Sequence, residues 1–227
     1  MKKIIILSTV LLCLSVLSKA QTVGGSLMLG SPQGEFRNNV DRLGYGLQIQ
    51  GTIWSPGKQR PFTIGLNLSY MIYGEVTERR PLSLTIPDVT VKVDRMNSMA
   101  NLHLLLQVSP FTGTVRPYVD GLVGGAYIFT TTDVKSENTD DSFANTTNYD
   151  DFNWSYGWGG GILFQVAKDL GDVQTLYLDL KARYLYGTEA EYLTENDVLV
   201  QNGKVYYNPR KSKTDLLTFH LGVIAYF

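Results

Sequence analysis

The closing stretch Thr214-Asp-Leu-Leu-Thr-Phe-His-Leu-Gly-Val-Ile-Ala-Tyr-Phe227 decides the fold. Leu217, Phe219, Leu221, Val223, Ala225 and Phe227 fall on one side of an extended chain. Thr218, His220, Gly222, Ile224 and Tyr226 fall on the other. Successive side chains of a strand point to opposite faces, so this segment has one apolar face and one mixed face.

The same alternation recurs upstream. Extended segments are predicted at 22–30, 43–54, 62–73, up to 108, 115–129, 152–166, 176–186 and in the closing stretch. The third places Phe62, Ile64, Leu66, Leu68, Tyr70 and Ile72 together, and the sixth Trp154, Tyr156, Trp158, Ile162 and Phe164. Each is long enough for a tilted strand to cross a bilayer, which takes about 9–11 residues. Connections alternate in length. Short Pro- or Gly-containing turns at 55–61, 110–114 and 168–172 alternate with longer connections at 31–42, 74–91, 130–151 and 187–213. In the last of these, Asn202-Gly203 between two apolar runs predicts a local hairpin.

Alternation also fits a soluble secreted barrel that binds a small apolar ligand, with the apolar rows turned inward. The polar rows argue against it. Gly44, Gly46, Gln48, Gln50 and Thr52, then Thr63, Gly65, Asn67 and Ser69, then Asn153, Ser155, Gly157, Gly159, Gly161 and Gln165 carry no charge. A water-facing surface is typically about 25–35% charged, so these rows suit a narrow lumen better. Aromatic residues gather near the segment ends, as at a membrane interface.

Lys2 and Lys3, an apolar run to Leu17 and Ser18-Lys19-Ala20 read as a cleaved signal peptide. The expected division is 1–20 signal peptide and 21–227 one barrel domain. Cys13 is the only cysteine; Leu12 stands before it where a lipoprotein signal wants a small residue. Without Lys2, Lys3 and Lys19 the 20 basic residues fall to 17 against 21 acidic ones, a charge of −4. That balance offers no basic patch for nucleic acid.

Signal peptide, eight alternating segments, Arg116-Pro-Tyr-Val-Asp-Gly-Leu-Val-Gly-Gly-Ala126, Tyr156-Gly-Trp-Gly-Gly-Gly161 and the terminal aromatic together resemble the small bacterial outer-membrane β-barrel family, which includes the barrel domain of outer-membrane protein A. The expectation is an all-β, eight-stranded, antiparallel, up-and-down transmembrane β-barrel in the outer membrane. Long loops would be extracellular, and short turns and both termini periplasmic. The resemblance implies contact with outer-membrane lipid, and delivery by a barrel-insertion machinery that reads Phe227 as an assembly signal. It supplies no catalytic motif.

By parity Arg116, Asp120, Asp179, Lys181, Arg183, His103 and His220 point into the lumen. An eight-stranded interior is only wide enough for side chains to fill it. These charges are therefore expected to pair as a polar plug, Asp120 with Arg116 or His103, and Asp179 with Lys181, Arg183 or His220. Gly157, Gly159, Gly160 and Gly161 sit in a strand with no helix after them, so they are not a phosphate loop; they leave room for large lumen residues.

The predicted function is a non-enzymatic barrel with a structural or surface-interaction role and no cofactor or metal. A narrow small-solute channel is one alternative. A lipid-modifying enzyme is another, but along its own strand His103 finds only Ser109, about 20 Å away. The acidic third connection (Asp133, Glu137, Asp140, Asp141, Asp150, Asp151) lacks ordered calcium-loop spacing.

Overall fold

The computed structural model describes residues 21–83, 86–136, 142–195, 197–201 and 204–227. The expected signal peptide with Cys13, the Asn202-Gly203 turn, and Glu137, Asp140 and Asp141 lie outside the described residues.

Eight strands close into one antiparallel barrel: β1 (Thr22–Pro32), β2 (Gly44–Thr52), β3 (Phe62–Ser83), β4 (Ile86–Val108), β5 (Val115–Ser136), β6 (Ser142–Leu170), β7 (Val173–Gly187) and β12 (Leu216–Tyr226). Each pairs with its neighbours in sequence, and β1 closes the ring on β12 from Thr22 opposite Tyr226 to Pro32 opposite Leu216. The connection from β7 to β12 holds two small hairpin pairs. One is β8 (Glu189–Tyr192) with β11 (Arg210–Lys213). The other is β9 (Val198–Gln201) with β10 (Lys204–Tyr207).

Alternation is resolved in one direction: the apolar rows face outward. Leu27, Leu47, Trp154 and Trp158 are 60–66% exposed. The rows holding Gln48, Gln50, Asn67, His103, Asp179 and Arg183 are buried inside. Water would not tolerate such a continuous apolar exterior, whereas hydrocarbon solvates it. From Phe62 to Ile72 the band spans about 25 Å, given ~3.3 Å per residue and a tilt of about 40°. Closure leaves no strand edge in the apolar layer, which lipid requires. The fold is a transmembrane β-barrel.

The long connections differ from expectation. Residues 74–91 and 130–151, read above as loops, are mostly strand: β3, β4, β5 and β6 continue past the band as a four-stranded wall. Outside lipid both faces of a strand are wet, so the alternation that marks a strand disappears. The first connection also contains a short helix, α1 (Gly34–Asn39), that buries Phe36.

In that wall Asp94 accepts a hydrogen bond from Thr77 Oγ1 at 2.7 Å and lies 3.1 Å from Lys135 Nζ and 3.3 Å from Lys92 Nζ. Burial pushes its carboxyl up, but the Thr77 hydroxyl and the two ammonium groups outweigh this and hold it below its ordinary value. A depressed carboxyl stabilises the fold above its unfolded pKa, and that contribution is lost as pH falls through the folded value. Amide protection in residues 91–96 should therefore hold from neutral pH down to about pH 4 and decline below it, the unperturbed value being about 3.9. Asp94→Asn should remove that acid-dependent decline. An equal decline in the variant would assign it to another group.

Candidate functional site: the closed lumen

The lumen is filled in three layers. At the middle, β7 projects Asp179, Lys181 and Arg183 inward, because alternate residues of one strand share a face. Lys181 Nζ lies 2.9 Å from Asp179 Oδ2 and donates to Gln50 Oε1 at 2.8 Å. Asp179 Oδ1 accepts from the Tyr118 hydroxyl at 2.6 Å. Arg183 donates to Asp120 Oδ2 from Nε at 3.0 Å and Nη2 at 2.6 Å, to Asn67 Oδ1 at 2.8 Å and to Gln50 Oε1 at 3.2 Å. The side chains of Asp120, Asp179, Lys181 and Arg183 are at most 2% exposed.

Glycines make this possible. Asp120 pairs in register with Gly159, and Gly159 with Arg183, so the ion pair bridges β5 and β7 over the strand between them. A Cβ at Gly159 would lie 2.5 Å from both Ala182 O and Arg183 Cγ. His103 reaches Ser155 in the same way. Gly124 stands between them in register, and His103 Nε2 is 3.0 Å from Ser155 Oγ. A Cβ at Gly124 would lie 2.0 Å from Leu102 O.

Several expected pairings are corrected. Asp120 meets Arg183, not Arg116 or His103. The register sets His103 opposite Gly124 and Asp120 opposite Gln107, four residues apart on β4, so the expected equal depth does not hold. Asp179 meets Lys181, as one of the expected pairings had it, and not Arg183 or His220. His220 sits instead 2.9 Å from Thr218 Oγ1 and 3.4 Å from Ser26 Oγ. Sequence reading places Gln50 and Asn67 on lumen rows but not as partners of the charges, and leaves Tyr118 out, because neutral residues carry no charge signal. The contact of His103 with Ser155, a residue already on a lumen row, escaped because Ser155 lies two strands away; parity with barrel register would have found it.

Arg116 belongs to the second layer, at the short-turn end. Its guanidinium donates to Phe111 O at 2.9 Å and to Pro56 O, and stands over the rings of Tyr177 (5.6 Å) and Tyr226 (5.0 Å). Phe227 lies outside at the same end, 42% exposed, its N–H donating to Gln21 O at 2.9 Å.

The third layer closes the opposite mouth. Phe36, Tyr73 and Tyr192 pack edge to face with ring centroids 5.2–6.4 Å apart. Asn39 donates to the Tyr192 hydroxyl at 2.9 Å, and Arg42 pairs with Glu195, tying the first connection to the last.

No protein-family model and no curated protein matches the sequence. Among solved structures, Neisserial surface protein A aligns over 91% of this chain and 96% of its own at 12% identity, with a TM-score of 0.41. A major outer membrane protein from Thermus thermophilus aligns over 91% and 99% at 12% identity and 0.41. The N-terminal β-barrel domain of Pseudomonas aeruginosa OprF aligns over 92% and 98% at 13% identity and 0.34. The solved chains it resembles are outer-membrane barrels. At such identity and TM-scores the likeness carries no argument, and both the barrel and its lumen rest on this chain's own geometry.

Removing one partner of a buried ion pair costs about 3–5 kcal/mol, because the other charge stays buried. Asp120→Ala should therefore lower the refolding free energy in micelles by about that much. Glu189→Ala, which removes the exposed Lys211 pair, should cost less than about 1 kcal/mol. Equal small losses would show that the lumen pair carries no such weight.

Proposed function

We propose that the chain is a non-enzymatic outer-membrane barrel that is closed to solutes and acts through the surface it presents. The observation that carries this reading is the network of Asp120, Asp179, Lys181 and Arg183, fully enclosed at mid-lumen between two aromatic seals. A conducting path needs mobile, hydrated side chains along its length; here the mid-lumen cations are held by carboxylates and amides. The closed lumen favours this over the narrow-channel reading.

An enzymatic role is not supported by the shorter of the two His–Ser contacts among the described residues, His103 with Ser155. His103 and Ser155 are 1% and 4% exposed, and His103 Nδ1 has no hydrogen-bond partner among the described residues to orient the ring. Delivery by an insertion machinery that recognises Phe227 belongs to the same proposal, supported by its outward position at the rim.

The long strand extensions and the β8–β11 region are proposed to face the cell exterior, with the short turns and termini in the periplasm. The support is the asymmetry of the connections, short at one mouth and long at the other. Reconstituted into planar bilayers, the protein should insert without steady conductance. Epitope tags at Ser136 and Lys204 should bind antibody on whole cells, while a tag at Lys58 should not. Stable ohmic channels would return the reading to a pore, and labelling at Lys58 alone would invert the orientation.

A further inference from the structure

The outer wall is not uniformly convex. Across β12, β1 and β2 lies an apolar groove of about 640 Å³, lined on the lipid side by Leu27, Leu29, Tyr45, Leu47, Phe219 and Leu221. The register places these in two rows: Leu47, Leu27 and Leu221, then Tyr45, Leu29 and Phe219. The groove occupies the half of the apolar band nearest the long connections.

Directly above it is a second concavity. Along β1 the outward row runs Leu27, Leu29, Ser31, and along β2 it runs Leu47, Tyr45, with Leu43 just before the strand. Ser31 and Leu43 line a cleft of about 230 Å³ with Arg37, Asp41 and Arg42. One outward step on a strand is about 7 Å, so the cleft begins where the groove ends. Arg37 forms no ion pair among the described residues, and Arg42 also holds Glu195. A guanidinium has five donors, so Arg42 can serve a second acceptor.

An apolar groove in the hydrocarbon layer, one strand step below a rim cleft bearing two guanidinium groups against the single carboxylate of Asp41, has the polarity of an amphiphile whose head carries a phosphate. We propose that this face binds one membrane lipid with a phosphate headgroup, acyl chain in the groove and phosphate between Arg37 and Arg42. The inference rests on the membrane reading of the barrel. Hydrocarbon is the only apolar material available at that depth apart from another protein. The excess of guanidinium over carboxylate in the cleft, two against one, chooses a phosphate-bearing lipid over an uncharged one, because guanidinium and phosphate form short, charge-assisted hydrogen bonds.

Native mass spectrometry of the barrel in dodecyl maltoside, titrated with dioleoylphosphatidylglycerol, dioleoylglycerol or inorganic phosphate, tests this. One phosphatidylglycerol per barrel should be retained. Dioleoylglycerol, which has the chains without the phosphate, and inorganic phosphate, which has no chains, should each be retained far less. Arg37→Gln with Arg42→Gln should weaken phosphatidylglycerol retention about tenfold or more, the scale of a charge-assisted contact. Leu47→Trp, an apolar change on the lipid face, should weaken it by filling the groove.

Equal retention of the two lipids, or no effect of the arginine pair, overturns the headgroup assignment. Retention of inorganic phosphate alone would make the cleft a free-phosphate site and contradict a lipid. Unchanged retention in Leu47→Trp removes the chain from the groove. A protein that stays monodisperse with no micelle contradicts the membrane reading itself, a different failure from an embedded barrel that binds these lipids alike.

Discussion

The Arg183–Asp120 ion pair, crossing the barrel wall over Gly159, is the contact on which the interior depends. A guanidinium buried in a lumen with no room for bulk water needs a carboxylate and further acceptors, and it has them in Asp120, Asn67 and Gln50. Those partners come from β5, β3 and β2, so one side chain on β7 ties together strands from most of the barrel's circumference. Lys181 shares Gln50 and reaches Asp179, joining the two ion pairs into one network. Each strand carrying a partner is thereby fixed in register with the others.

This inverts the usual division of labour. In a water-soluble domain the apolar side chains form the core. Here most of them face outward, where lipid is as apolar as another leucine would be. What sets the interior is then the closed ladder of backbone hydrogen bonds, which leaves no unpaired edge in the apolar layer, and the packing inside it, polar around Arg183 and apolar where Met71, Met99, Leu105, Leu122 and Ile128 are buried. The two ends are finished differently. Arg116 over Tyr177 and Tyr226 closes one mouth, and the Phe36–Tyr73–Tyr192 group closes the other. Both use aromatic rings, which fill space while offering a hydroxyl or a π-face to a polar neighbour.

Much of this was legible in the sequence, and the reasons are specific. Period-two alternation placed Arg116, Asp120, Asp179, Lys181, Arg183, His103 and His220 on the inward rows, because within the apolar layer the two faces of a strand meet opposite environments. Partner choice was not legible. It depends on barrel stagger, which no single strand encodes, and so Arg183 rather than Arg116 holds Asp120. Glycines mark the crossing points, but only after register shows that Gly159 separates Asp120 from Arg183 and Gly124 separates His103 from Ser155. The strand extensions at 75–79 and 131–135 read as loops because side chains on both of their faces are at least partly exposed. The six-residue helix α1 is too short to show a period.

The most direct test of the account is a double-mutant cycle on Asp120 and Arg183, read as refolding free energy in micelles for Asp120→Ala, Arg183→Ala and the pair together. If the ion pair organises the lumen, each single variant leaves a buried charge or carboxylate unpaired. The double variant should then cost less than the sum of the two, by a coupling energy of about 1–3 kcal/mol, within the range for residues in one network. Additive losses, with coupling near zero, would mean that the two side chains do not depend on each other and would contradict the account.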